Sequence, residues 1–222
     1  MAAEHFCVSC RAPFLNPRPL DENGQCALCR SGQLGFDGAY SFGTYDGPLR
    51  SLIHLFKYGR IHTLAQPLGR LLVRALPLDR RFDLVVPVPM HWRRRWQRGF
   101  NQAELLARVV SRRAGLPLCH PVRRRRHTGP QAELTAAGRR LNVSASFEVR
   151  RRSEIQGRHL LLIDDVLTTG ATAGACALAL KLAGAASVTV LTVARADRRQ
   201  WTESLTVARG AGAPHSFALG AS

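Results

Sequence analysis

The stretch LLLIDDVLTTGATA, residues 160–173, constrains this chain more than any other. Four apolar residues read as a buried strand that ends at the adjacent carboxylates Asp164 and Asp165. A small turn rich in hydroxyls follows, and then helical spacing resumes. A buried strand that passes through a tight turn into a helix is the unit of parallel α/β sheets, whose ligands bind beyond the carboxyl ends of the strands. The backbone N–H groups of Thr169, Gly170, Ala171 and Thr172, with the hydroxyls of Thr168, Thr169 and Thr172, can surround a phosphate at the positive end of that helix. Asp164 and Asp165 repel phosphate, but they suit the vicinal hydroxyls of a sugar or a divalent cation beside it. A phosphate pocket and a diol acceptor on one turn describe a ribose 5-phosphate site. The plainer alternative is a capped strand-to-helix turn with two solvated acids, and the three hydroxyls within seven residues of the acids weigh against it.

The rest of the chain supplies the matching elements. Residues 39–45 read as a strand, Leu49, Leu52, Ile53 and Phe56 follow helical spacing, and 62–76 form a second amphipathic helix. Residues 83–89 are an apolar strand closed by two prolines. Asn101, with Glu104 three residues on, carries a capping-box signature for a helix whose apolar stripe is Leu105, Leu106, Val109 and Val110. An arginine-rich arm or long loop with one short helix covers 123–145. Strand 159–163, helix 169–182 and strand 187–193 then follow. Strands alternating with helices of this length argue a parallel, doubly wound α/β sheet.

Residues 1–36 are rich in turns and poor in periodic apolar residues, so another device has to hold them together. Cys7 and Cys10 make one C-x-x-C, Cys26 and Cys29 another, fifteen residues apart, which is the spacing of a four-thiolate zinc ribbon. Such a closed site is structural rather than catalytic. Disulfides and redox sensing are the competitors, and the reduced thiols of a cytoplasmic chain disfavour the first. Cys119 and Cys176 read as small buried hydrophobes. The expected division is a zinc-ribbon module over 1–36, an α/β domain over 37–208 and a mobile tail over 209–222. No apolar run reaches the ~18–20 residues of a membrane span, because Lys181 and the acid pair interrupt the longest ones. The start MAAEHFCVSC is no secretory signal, so a cytoplasmic protein is expected.

Charge adds a second constraint. The formal net charge is +17, and residues 84–153 hold sixteen arginines against Glu104, Glu133 and Glu148. A solvated basic face accounts for this, and so does a surface for phosphates or nucleic acid. Trp92, Trp96 and Phe100 recur every four residues among Arg93, Arg94, Arg95 and Arg98. On a helix that spacing gives an aromatic face ringed by guanidinium groups, the pairing single-strand binders use. The competing reading packs the aromatics on the core and leaves the arginines to water or pyrophosphate.

The 160–173 stretch resembles the phosphoribosyl-pyrophosphate (PRPP) motif of type I phosphoribosyltransferases. FKYG at 56–59, VPVP at 86–89, RGFNQA at 98–103, TGPQAELTAAGRRLN at 128–142 and the paired C-x-x-C narrow the resemblance to the ComF family, which includes ComFC-like and GntX-like proteins. The resemblance implies a type I phosphoribosyltransferase-like core with an N-terminal zinc module. Asp164 and Asp165 would meet the ribose hydroxyls, residues 168–172 the 5-phosphate, and Arg98 the pyrophosphate. An arm over 124–142 would cover the site, with Lys57 and Tyr58 at its edge. It further implies Mg²⁺ with PRPP, pyrophosphate displacement by an acceptor the sequence does not identify, and a role in natural competence alongside single-stranded DNA and competence-machinery proteins. Family enzymes acting on 6-oxopurines carry an acid where Thr168 stands, which disfavours those substrates. Nucleobase salvage without a nucleic-acid role, and a scaffold for which PRPP is a signal, are the alternative readings.

Overall fold

The computed structural model describes residues 5–14, 17–31, 34–90, 99–125 and 146–196. Trp92, Arg93, Arg94, Arg95, Trp96 and Arg98, the centre of the expected arm and the tail from 209 lie outside the described residues. In chain order the elements are β1 (His5–Phe6), β2 (Pro13–Phe14), α1 (Ala27–Arg30), β3 (Gly38–Thr44), α2 (Gly47–Tyr58) and α3 (Ala65–Arg74). There follow β4 (Leu84–Pro87), α4 (Gln102–Ala114), β5 (Val122–Arg124), β6 (Phe147–Val149), α5 (Arg152–Ile155), β7 (His159–Leu167), α6 (Ala171–Leu182) and β8 (Ser187–Arg195).

Four strands form a parallel sheet in the order β3-β8-β7-β4. The two central strands are apolar almost without interruption because both faces of the sheet are covered. On one face Leu160 and Leu162 of β7 join Val188 and Val190 of β8 beneath α6 and the β5–β6 ribbon. On the other, Leu161, Ile163, Leu191 and Val193 pack against Ile53 and Phe56 of α2, Leu68 and Leu72 of α3, and Leu106 and Val110 of α4. Two aspartates pin the register at the amino ends of the strands. Asp83 accepts the His159 N–H at 2.8 Å, while Asp37 accepts the Val188 N–H at 2.7 Å and the Lys181 ammonium at 2.6 Å. Residues 117–119 cover the outer edge of β4 through Val85 N–H to Pro117 O and Cys119 N–H to Val85 O, both 2.9 Å.

Several elements differ from the sequence-based expectation. Strand β7 runs four residues past Ile163, so both carboxylates sit within it, and α6 begins at Ala171. The expected helix over 62–76 divides into a 3-10 turn, His62–Leu64, and α3. The ends of the arginine-rich arm pair as the antiparallel β5–β6 ribbon rather than looping freely. The capping box is half made: Asn101 Oδ1 accepts the Ala103 N–H at 3.2 Å, but Glu104 turns to Arg108 and His120. Phe100 is buried against Phe56 and His62, with ring centroids 5.6 and 4.1 Å away, and Gly99 before it has a φ of 80°. It is therefore a core residue, as the competing reading of the aromatic spacing has it; Trp92 and Trp96 lie outside the described residues. Cys119 and Cys176 are buried as expected, the Cys119 thiol donating to Glu154 at 2.7 Å. Among the described residues no helix is long and apolar enough to cross a membrane.

On the second face α3 and α4 pack closely at Gly69 of α3, where an added methyl would stand 2.5 Å from Val109 Cγ1 of α4. Alanine gains helix propensity, but it forces a stiff β-branched neighbour aside. Gly69→Ala should destabilise the fold by about 1–2 kcal/mol in urea titration, and adding Val109→Ala should recover part of the loss.

Candidate functional site

The cleft forms where neighbouring strands end at different heights. Strand β4 makes its last ladder bond with β7 at Val88 N–H to Ile163 O, 2.9 Å. Strand β7 runs on to Leu167, and among the described residues no strand pairs with that edge beyond Ile163. Asn101 holds the departing chain back by donating from Nδ2 to Val88 O at 3.2 Å. The resulting cleft of about 230 Å³ is lined by Asp164, Asp165, Thr168, Gly170, Ala171 and Thr172, with Tyr45, Lys57, Val88–Met90, Asn101 and Arg124 around them.

The turn is built for backbone exposure. Gly170 takes a φ of 80°, in the left-handed region that favours glycine, and so rotates the start of α6 into the cleft. The first intrahelical bond is Gly174 N–H to Gly170 O at 2.7 Å, so the N–H groups before it lie in the open first turn with the positive end of the helix. Thr169 lies off the cleft wall. Its hydroxyl accepts the Ala171 N–H at 3.3 Å and caps the helix. Of the residues the sequence nominated for this turn, Thr168, Gly170, Ala171 and Thr172 are brought together, and Thr169 supports them from behind.

The two carboxylates diverge along the pleat. Asp165 meets the Lys57 ammonium at 3.0 Å, the side chains being 12% and 15% exposed. Asp164 accepts the Asp165 N–H at 2.8 Å. Burial first, then the charge of Asp165, push the Asp164 carboxyl up to about 7, while the Asp165 N–H, Lys57 and Arg124 pull the other way. Lys57, at the end of α2, is thus inside the site rather than at its edge, whereas Tyr58 beside it is exposed. Arg124 was legible only as part of the arginine run. In β5 it falls on the same face as buried Val122, which turns it inward while Arg123 and Arg125 face solvent.

Apart from the cleft, Cys7, Cys10, Cys26 and Cys29 converge so that all four sulfurs lie within 4.8 Å of one another. The pairs Cys7–Cys29 and Cys10–Cys26 are each 3.7 Å apart. Thiolates about 2.3 Å from a tetrahedral ion stand roughly 3.8 Å apart, whereas a disulfide needs about 2.05 Å. The set fits a metal ion. Burial opposes ionisation of Cys7, but the backbone N–H groups of Cys10, Cys26 and Ser9 outweigh it and bring the thiol down to about 7.

Because the folded chain holds Asp164 protonated to higher pH than the unfolded chain does, its contribution is complete below about pH 4. It is lost as pH rises through about 7. Asp164→Asn, which keeps an acceptor but no charge, should match the wild type in acid and exceed it at pH 8 by on the order of 1–2 kcal/mol. Thermal melts of both proteins between pH 5 and 8 read this directly.

No family model matches the chain. Among solved structures, it resembles an allosteric regulatory enzyme of purine biosynthesis, 21% identical over 59% of this chain and 25% of that one, with a TM-score of 0.44. It also resembles an adenine phosphoribosyltransferase, 15% identical over 68% and 79%, with a TM-score of 0.40. Relatives by sequence are closer. The DNA utilization protein YhgH of Salmonella typhimurium is 33% identical, with 86% of this chain and 84% of the relative covered. Competence protein F of Haemophilus influenzae is 34% identical, covering 77% and 78%. Competence protein ComFC of Bacillus subtilis is 28% identical, covering 86% and 85%. At these identities and over this span, the chain belongs to the ComF family.

Proposed function

We propose that the cleft binds PRPP with Mg²⁺, that the protein serves DNA uptake in natural competence from the cytoplasm, and that the four cysteines hold a structural zinc ion. One observation carries the first part: two carboxylates and the open first turn of α6 line a single cleft at the end of the central strand. In this reading Asp164 and Asp165 accept the ribose 2- and 3-hydroxyls. The 5-phosphate takes the amides of residues 170–172 and the hydroxyls of Thr168 and Thr172. The loop after Pro89, with Arg98, faces the pyrophosphate.

The chemistry is displacement at C1. The C1–O bond to pyrophosphate breaks with its electron pair leaving on oxygen, a bond to the acceptor forms, and the acceptor gives up its proton. The transition state is oxocarbenium-like, so no protein nucleophile is required, and the side chains contribute positioning and charge. When bound, Mg²⁺ would neutralise charge on the departing pyrophosphate. Thr168 lines the cleft and cannot act as a carboxylate base, which disfavours 6-oxopurine acceptors.

Calorimetric titration with Mg²⁺–PRPP should show binding that Asp164→Asn weakens about ten- to a hundredfold, the worth of hydrogen bonds to a charged acceptor. A pyrophosphate-release panel of purines and pyrimidines then separates an enzyme, whose turnover Asp165→Asn abolishes, from a protein that uses PRPP as a signal. Failure of the wild type to bind would end the reading.

The names of the competence relatives support the role in DNA uptake, with contact to single-stranded DNA and competence-machinery proteins as its means. The DNA contact rests on Trp92, Arg93, Arg94, Arg95 and Trp96. Oligonucleotide binding should fall with salt at a log–log slope near −0.7 per phosphate contacted, and Arg93→Ala, Arg94→Ala and Arg95→Ala together should flatten it. Unchanged binding in the triple variant would remove these residues from the contact.

A further inference from the structure

The cysteine knuckle touches the ligand turn from both sides. Leu34 is buried in one cluster with Cys7, Cys10 and Cys26, and its Cδ2 would lie 3.1 Å from a methyl added at Gly170. Gly35 and Gly174 interlock so closely that a methyl on Gly35 would strike the Gly174 carbonyl, and one on Gly174 the Leu34 carbonyl. Side chains are excluded there because the segment at 34–35, leaving the cysteine cluster, lies backbone-to-backbone on the first turn of α6. At the other side of the turn, Leu167 ends β7 in register with Arg195, and the Ala196 N–H bonds Leu167 O at 3.0 Å. The buried Arg195 guanidinium donates to Cys10 O and lies 3.7 Å from Cys10 Sγ. Among the described residues no carboxylate pairs with it in a salt bridge.

We infer that the metal-loaded knuckle sets the conformation of the sugar-phosphate turn, with Leu34 and Arg195 as its positioning residues. The inference deepens the PRPP reading and rests on it for the ligand, though not for the conformational coupling. A close-packed contact on the Gly170–Gly174 turn and a buried cation gripping the neighbouring strand end leave the turn little freedom while the knuckle is ordered. The cysteines converge from separate turns with few apolar neighbours, so a bound ion fastens them and its removal loosens both contacts. Coupling of this kind is reciprocal: the ion tightens ligand binding by the factor by which the ligand tightens retention of the ion.

The experiment compares full-length zinc-loaded protein, chelator-stripped protein under reductant, and two variants that keep all four cysteines, Leu34→Ala and Arg195→Met. Amide hydrogen exchange over 166–175 should rise on stripping while β7 at 160–163 stays protected, and zinc should restore it. Both variants should reproduce the rise with zinc still bound. Their affinity for Mg²⁺–PRPP should fall roughly five- to a hundredfold, and Mg²⁺–PRPP should slow zinc loss from the wild type to a dye chelator. If stripping unfolds the whole chain, the two zinc-retaining variants decide. Unchanged exchange over 166–175 in both would overturn the inference, as would unchanged exchange in a stripped protein that still melts cooperatively. Coupled exchange in a protein that never binds Mg²⁺–PRPP would sustain the coupling and retire the ligand.

Discussion

Where β4 stops at Pro87, β7 continues for four residues with no strand beside it on that edge among the described residues, and the cleft and its charges follow from that difference in height. A strand that kept a partner would bury Asp164 and Asp165 in a ladder between two apolar layers, which two carboxylates do not tolerate. A strand that ended with β4 would put the acids on a solvated loop with no fixed relation to α6. The last ladder bond is Val88 N–H to Ile163 O, and Pro87 and Pro89, which share the outward side of Val85, leave the outer edge of β4 without donors there. Asn101 then ties the outgoing chain to Val88 O, so the gap has a wall.

The acids in that gap are balanced rather than relaxed. Asp165 and Lys57 form an ion pair almost shielded from water, an arrangement whose desolvation offsets much of its Coulomb gain. Such a pair is weak evidence for stability, and replacing it with apolar residues would cost the fold little. Its retention at the mouth of the cleft is better explained by chemistry. Lys57 orients one carboxylate through a 3.0 Å ion pair, while burial and the neighbouring charge push the other up to about 7. Two adjacent acids in different environments behave differently toward the same ligand.

The outline of this site could be read from the sequence because its parts are consecutive. Strand, acids, turn and helix fall within fourteen residues, and periodicity, a lone glycine and hydroxyls mark each of them. The cysteine spacing was equally direct, since two tight turns supply two ligands each. What could not be read depended on separate segments meeting. Arg124 enters from a ribbon whose strands pair across more than twenty residues and Arg195 from the end of β8, while Lys57, from α2, was named only through the family resemblance and its ion pair with Asp165 was not. Nothing local distinguishes Arg124 from Arg123 or Arg125; only its pairing decides that its side chain turns inward. The spacing of Trp92, Trp96 and Phe100 left two readings open, and Phe100 takes the core-packing one. Gly99 interrupts the period, and Phe100 joins Phe56 in the core.

The ribbon also gives the basic charge a location. Glu148 on β6 meets Arg123, Arg125 and Arg150, each side chain more than half exposed. Exposed pairs of this sort are screened by water and contribute little, so three arginines on one glutamate are poorly explained by stability. They leave a positive surface facing solvent on the strand whose inward arginine lines the cleft. A field of one sign over a concave, low-dielectric opening raises the local concentration of anions and their rate of entry, an effect that salt erodes. Strand β5 and the residue after it thereby carry both the attraction, through Arg123 and Arg125, and the contact, through Arg124. The alternation of side chains along it keeps the two duties on opposite faces.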